Sequence, residues 1–143
     1  KGCLFWMQAC LRDMKPRGAG SIVALSSISG VVGSASLGAY TLSKHAVVGL
    51  VRAAALEAGG DGVRVNALCP GPIDSDMMRR LDKALSDRDP QRARGQADAA
   101  KAMPLQRYVS ALEVARMAAF LCSDDSGSCH GATYMVDGGF TAR

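Results

Sequence analysis

Tyr40 and Lys44 are the two side chains whose chemical types and spacing first suggest catalysis. They stand four residues apart in a stretch of helical character, so they share one face about a turn apart. A phenol exchanges protons poorly near neutral pH, but a neighbouring ammonium favours its ionised form. The pair could therefore serve as a general acid and base, although the spacing alone is more often that of an ordinary exposed pair.

Two predicted strand ends place polar loops beside this pair. Ser27 stands thirteen positions before Tyr40, at the carboxyl end of one predicted parallel strand, and Pro70-Gly71 follows the next. Ligands in open α/β sheets bind outside these strand ends. A hydroxyl at Ser27 could thus hold a substrate oxygen while Tyr40 donates a proton to it.

The elements that position these residues alternate between helix and strand. We expect helices at 3–14, 39–58 and 111–121, helical pieces within 74–103, and strands at 21–25, 63–68 and 131–136. Residues 15–20 and Gly59-Gly60 end the first two helices, and Ser110 with Glu113 predicts a capping box before the last. Helix 3–14 is apolar nearly all round, which predicts burial. Strands separated by helices favour a parallel sheet covered on both faces.

Composition sets the broad class. The chain has 143 residues, 48% apolar and 21% charged, which suits one globular domain. A net charge of +4 without a run of five basic residues argues against nucleic-acid binding, and no apolar stretch reaches the roughly 18 residues of a membrane span. Five cysteines without a C-x-x-C pair predict neither a disulfide framework nor a metal site, and they favour a reducing cytoplasm.

Four motifs follow one another along the chain. They are Ser27-Ile28-Ser29-Gly30, Tyr40-Thr41-Leu42-Ser43-Lys44, Val65-Asn66-Ala67-Leu68-Cys69-Pro70-Gly71-Pro72-Ile73 and Val136-Asp137-Gly138-Gly139. In this order and spacing they resemble the signatures of the short-chain dehydrogenase/reductase family. The resemblance implies an α/β fold that is the C-terminal half of a Rossmann-like, doubly wound parallel sheet. Residues 1–143 would form the catalytic half-domain, and residues 74–108 its substrate lid.

The same resemblance implies that the chain is part of a longer protein. The family's glycine-rich turn, which cradles a pyrophosphate, and its catalytic asparagine would lie before Lys1. Lys1 also leads directly into an apolar helix that lacks a capping residue. Asn66 does not replace that asparagine, because it lies within a predicted strand.

The family implies a role for each matching catalytic position. The activity would be the interconversion of an alcohol and a ketone with NAD or NADP. Tyr40 would be the acid/base, and Lys44 would favour its phenolate and hydrogen-bond the nicotinamide ribose. Ser27 would orient the substrate oxygen. Ser26 and Ser29 are alternatives for that role, less favoured because Ser27 fits the family register.

The family also implies a cofactor loop and an assembly. The backbone at Pro70, Gly71 and Ile73 would line the nicotinamide, and Ser75 stands where the family often has a threonine near the pyrophosphate. Helix 39–58 has apolar residues on more than one face, which predicts the sheet on one side and a second subunit on the other. We therefore expect a homodimer or homotetramer.

Several specific activities remain open at this point. A 3-oxoacyl-carrier-protein reductase fits, as do hydroxysteroid, polyol and cyclic-alcohol dehydrogenases. A sugar-nucleotide epimerase also uses tyrosine and lysine four apart, but the Pro70-Gly71 loop argues against it. A non-catalytic fragment or partner protein is the alternative outside enzymes. The basic surplus of the lid could attract an anionic acyl-carrier or coenzyme A substrate, although a solvated surface is the simpler interpretation.

Three further residues have ordinary structural interpretations. His45 points away from the Lys44 face and is expected at a structural or interface position. His130 is expected in a loop before the last strand. Cys69 is interpreted as a small apolar side chain rather than a redox group.

Overall fold

The computed structural model describes residues 1–88, 100–101 and 103–142. Its helices are α1 (Gly2–Arg17), α2 (Gly38–Ala58), α3 (Asp76–Arg88) and α4 (Ala111–Cys122), and its strands are β1 (Gly20–Leu25), β2 (Val63–Pro70) and β3 (Thr133–Val136). The three strands form one parallel sheet in the order β1-β2-β3. This arrangement confirms the predicted half of a Rossmann-like α/β sheet.

The central strand β2 sets the register of the sheet. It pairs with β1 from Gly20 opposite Val63 to Leu25 opposite Leu68, and with β3 from Ala67 opposite Thr133. A parallel strand covered on both faces must be almost continuously apolar. Only Asn66 breaks that rule within β2's buried run, and its amide bonds to the loop before β3, donating to the Cys129 carbonyl at 2.7 Å and accepting from the Ala132 N–H at 3.1 Å.

Helices cover the two faces of the sheet separately. Alternate residues of a strand point to opposite faces. Ala24, Val65 and Cys69 join the core under α1 and α2, whereas Val23 and Leu68 join the core under α4. The residues at the strand ends are therefore held by packed layers on both sides.

Helix α1 departs from two predictions. It runs through Pro16 and ends at Arg17, and the φ of 65° at the C-cap Gly18 closes the helix in the left-handed region. The predicted burial is also wrong for this chain: Met7 is buried, but Phe5 and Trp6 are 61% and 74% exposed. The helix meets the sheet and α2 along a single face, so the rest of its apolar surface faces outward.

The other boundaries agree with the prediction or shift by a few residues. Helix α2 ends at Ala58 with Gly59 as its C-cap, as predicted. A 3-10 turn then continues to Asp61, and Gly62 supplies the left-handed φ of 70°. Strand β2 extends through Pro70, beyond the predicted end, since its last residues pair with β3. The capping box of Ser110 and Glu113 is present as predicted.

Gly62 offers a test of the turn between α2 and β2. A Cβ there would collide with the Gly18 carbonyl oxygen, and the positive φ disfavours any other residue. We expect Gly62→Ala to lower the free energy of unfolding by about 2 kcal/mol, measured by urea denaturation.

Gly60→Ala is the matched control two residues away. Nothing lies within 4 Å of a Cβ at Gly60, so this variant should unfold at or slightly above the wild-type urea concentration. Equal losses in the two variants would contradict the strain assigned to Gly62.

Candidate active site

Helix α2 brings Tyr40 and Lys44 together at the carboxyl edge of the sheet. The helix begins at Gly38, so Tyr40 lies in its first turn, where the residue is 41% exposed. The Lys44 ammonium lies 5.5 Å from the centre of the Tyr40 ring. Its Nζ also donates to the Leu25 carbonyl at 3.3 Å. The ammonium is thus fixed between the end of β1 and the phenol.

The three serines after β1 differ in what their hydroxyls bind. Ser26 Oγ donates to the Lys44 carbonyl at 2.9 Å, and Ser29 Oγ pairs with Ser34 Oγ at 3.0 Å. Ser27 Oγ accepts from the Ser29 N–H at 3.2 Å and donates to none of the residues described. Its proton is therefore available to a bound oxygen, and the choice of Ser27 over its two neighbours stays a prediction.

The loop after β2 is held from two sides. The Gly71 N–H donates to the Val136 carbonyl at 2.9 Å. Ile73 forms a bridge with Val109, whose N–H donates to the Pro72 carbonyl at 2.9 Å. The predicted cofactor loop is therefore a fixed backbone surface rather than a free connection.

Gly71 lies so close to the turn after β3 that there is no space for a side chain at this position. A Cβ on Gly71 would lie 2.8 Å from the Asp137 Cα. The buried Asp137 carboxylate accepts from the Gly139 and Thr141 N–H groups, both at 2.9 Å, and from the Thr141 hydroxyl. Burial opposes its ionisation, but these hydrogen bonds outweigh burial and lower the pKa of Asp137. The sequence shows the Val-Asp-Gly-Gly ending but not that Asp137 supports the neighbouring loop.

Ser75 is the second residue of the predicted lid, residues 74–108. It precedes α3, and its Oγ accepts from the Met78 N–H at 3.3 Å, as a helix cap does. Arg79 in the next turn bonds Asp74 at 2.6 Å and Asp76 at 2.7 Å. Its charge is therefore matched by neighbouring carboxylates, which agrees with a solvated lid surface. The basic surplus of the lid also includes Arg92 and Arg94, which lie outside the described residues.

The comparisons with known proteins agree with these motifs. A family model described as enoyl-(acyl carrier protein) reductase matches residues 1–141. The chain belongs to the short-chain dehydrogenase/reductase family. It is 39% identical over 142 residues to the oxidoreductase UcpA of Salmonella typhimurium, covering 99% of this chain and 53% of that protein. It is 34% identical to the levodione reductase of Leifsonia aquatica, covering 99% and 52%.

Solved structures show the same fold. The crystal structure of a levodione reductase superimposes with a TM-score of 0.85 at 36% identity, covering 92% of this chain and 50% of that one. A structure of ElxO with NADP bound gives a TM-score of 0.87 at 29% identity, covering 99% and 54%. This short-chain dehydrogenase/reductase chain thus spans about half the length of the relatives it matches.

The remaining candidate residues of this family member have structural contacts. Cys69 is fully buried, and that burial raises the pKa of its thiol, which agrees with an apolar role. His45 is exposed and bonds the Thr41 carbonyl at 3.0 Å. His130 lies in a loop, as expected, but its ring links the Ala55 carbonyl at 2.9 Å with the Val65 N–H at 3.2 Å. No sequence pattern indicates that His130 joins α2 to β2, because its partners lie far away along the chain.

Two kinds of feature are absent from the described residues. Among them, no three histidine, cysteine or acidic side chains are placed to hold a metal ion. In the same part of the chain, no helix has both the length and the apolar character that crossing a membrane requires.

A cavity of about 280 Å³ opens beside the turn after β3. Arg107 and Glu113 form part of its wall and make two hydrogen bonds, at 2.6 and 2.9 Å. These bonds from Arg107, with the Ser110 N–H and hydroxyl, lower the pKa of Glu113 to about 2. The pair stabilises the start of α4 by holding the capping carboxylate ionised.

This ion pair predicts a change in stability with pH. The pKa of Glu113 in the folded chain lies below the ordinary value of about 4.3. Its stabilising contribution is therefore complete above that ordinary value and is lost as the pH falls towards 2. We expect the melting temperature to fall more between pH 6 and about pH 3 in wild type than in Glu113→Gln.

Glutamine can still complete the capping box, so the variant removes only the charge. The expected difference is small because the pair is exposed. Parallel melting curves for the two proteins across this range would contradict the assignment.

Proposed function

We propose that the protein containing this chain interconverts an alcohol and a ketone with NAD or NADP, and that Tyr40 moves the proton. The observation that carries the proposal is the exposed Tyr40 ring with the Lys44 ammonium 5.5 Å from its centre. The two stand at the carboxyl edge of a parallel sheet, where ligands of such folds bind. The available Ser27 proton lies at the same edge.

The residues at this edge suit a nicotinamide cofactor. Lys44 uses one of its three N–H donors on Leu25, which leaves others for ribose hydroxyls. The fixed Pro70–Ile73 backbone offers a wall for a planar ring, and Ser75 Oγ keeps its proton for a phosphate oxygen while it caps α3. When bound, the nicotinamide would supply or accept the hydride. The solved ElxO relative, which holds NADP, supports this assignment.

Each catalytic side chain then has a separate task. Ser27 would donate to the substrate oxygen and fix its direction. Tyr40 would give a proton to that oxygen in reduction and take it back in oxidation. Lys44 would stabilise the phenolate left behind, because an ammonium close to a phenol favours its ionised form.

The residues that flank the site bear on the substrate class. Val31 and Met77 are exposed apolar residues in the segments that flank the site, and Arg79 is paired with neighbouring carboxylates. These features favour a neutral ketone, as the levodione reductase relative suggests. A 3-oxoacyl-carrier-protein substrate is the second candidate, because the matching family model is described as an acyl-carrier-protein reductase.

We also propose a homodimer or homotetramer in the cytoplasm. One face of α2 packs on the sheet through Val48, Val51 and Ala55. The opposite face carries Leu42, which is 73% exposed. Together with Phe5 and Trp6 of α1, it offers an apolar surface for a second copy. The free cysteines, of which Cys122 is exposed, suit a reducing compartment.

Removing the Tyr40 hydroxyl tests the proposed reaction. In the protein made from its complete gene, Tyr40→Phe should lower turnover by about 100-fold or more, since no acid/base group remains at the substrate oxygen. NADPH binding, followed by fluorescence titration, should persist. Turnover is measured with NAD and NADP on a panel of cyclic alcohols and ketones.

Tyr134→Phe in β3 is the matched control and should turn over at the wild-type rate. If Tyr40→Phe also keeps that rate, Tyr40 is not the acid/base. If wild type and both variants bind neither cofactor, the alternative of a non-catalytic partner protein gains support.

A further inference from the structure

We propose that Ser26 is a positioning residue, which holds helix α2 so that Tyr40 and Lys44 stand correctly at the end of β1. The inference rests on the proposed function of that pair. Ser26 is 4% exposed. Its N–H donates to the Leu68 carbonyl of β2 at 2.8 Å, and its Oγ donates to the Lys44 carbonyl of α2 at 2.9 Å. One residue therefore joins the central strand to the catalytic helix.

Lys44 is held at both ends by two consecutive residues. Leu25 accepts from its ammonium at 3.3 Å, and Ser26 donates to its backbone carbonyl. The first bond directs the side chain, whereas the second fixes the helix itself. Because Tyr40 lies one turn earlier on the same helix, a shift of the Lys44 backbone would move both side chains together.

The hydrogen bond from Ser26 to the Lys44 carbonyl positions helix α2, but the helix does not need this bond to form. Lys44 lies in the interior of α2, where each carbonyl can accept the N–H four residues later. A carbonyl oxygen has two lone pairs, so the Ser26 hydroxyl adds a second donor to a group that the helix already satisfies. Its removal should leave α2 helical but free to move relative to β1.

Gly30 keeps this contact short. A Cβ on Gly30 would lie 2.5 Å from Ser26 Oγ and 2.9 Å from the Lys44 carbonyl oxygen. The 3-10 turn Ile28–Gly30 thus passes close to the bond and leaves no space for a side chain. The sequence Ser26-Ser27-Ile28-Ser29-Gly30 places the donor, Ser26, four positions before the glycine, and both lie beside the Lys44 carbonyl.

NADPH binding tests the proposal without a known substrate. In the protein made from its complete gene, we expect Ser26→Ala to raise the NADPH dissociation constant about fivefold, as the loss of one neutral hydrogen bond at the site would. The measurement is fluorescence titration well below the melting temperature. Ser21→Ala is the matched control, because Ser21 in the same strand donates to the Leu121 carbonyl of α4 at 2.8 Å. It should bind NADPH as wild type does.

Lys44→Ala separates this inference from the function on which it rests. If Lys44→Ala binds NADPH as wild type does, the proposed cofactor contact is wrong and the role of Ser26 falls with it. If Lys44→Ala weakens binding but Ser26→Ala does not, only the positioning role is wrong. Equal weakening by Ser26→Ala and Ser21→Ala would show a general loss of stability and would also overturn it.

Gly30→Ala disturbs the same contact by adding a methyl group. If Ser26→Ala does not fold, Gly30→Ala tests the positioning role of Ser26 in its place. NADPH binding weakened about fivefold supports the proposal, and wild-type binding overturns it.

Discussion

The burial of β2 is the constraint on which the rest of the structure depends. The strand is paired on both sides and covered on both faces, so every polar group along it must find a partner inside the protein. That requirement explains why Asn66 bonds the loop before β3 with both halves of its amide. It also explains why Ser26 beyond β1 continues the pairing with Leu68. The ends of β2 are held in place because the strand is hydrogen-bonded on both sides and packed on both faces.

The site uses this rigidity at positions where chain segments leave the sheet. Ser27 follows β1, Pro70 ends β2, and Asp137 follows β3. Because Gly71 has no side chain, the loop after β2 can lie against the backbone of Asp137 after β3. Helix α2 supplies Tyr40 and Lys44 from the layer above, tied down through Ser26 and Leu25. Residues from distant parts of the sequence thereby form one surface on fixed supports.

The sequence predicted the order and type of the elements, because apolar periodicity and glycine or proline breaks are local properties. It also predicted Tyr40, Lys44 and the Pro70-Gly71 loop as site residues, because their motifs are short enough to be read locally. It could not show that Ser26 bonds the Lys44 carbonyl or that His130 joins Ala55 to Val65, since those partners are brought together by packing. The predicted burial of α1 was wrong for a related reason. Apolar residues all round a helix do not show which of its faces will pack against the rest of the chain.

The parallel pairing of the sheet determines the order in which the site can form. Leu25 pairs with Leu68, and Ala67 pairs with Thr133, so each contact joins residues far apart along the chain. Such closures cost chain entropy before they gain contacts, and folds dominated by them reach the native state slowly. Tyr40 and Lys44 come near each other as soon as α2 forms, within microseconds or less for a helix. Ser27 and the loop after β2 join them only when the strands have aligned, so the complete site is a late product of folding.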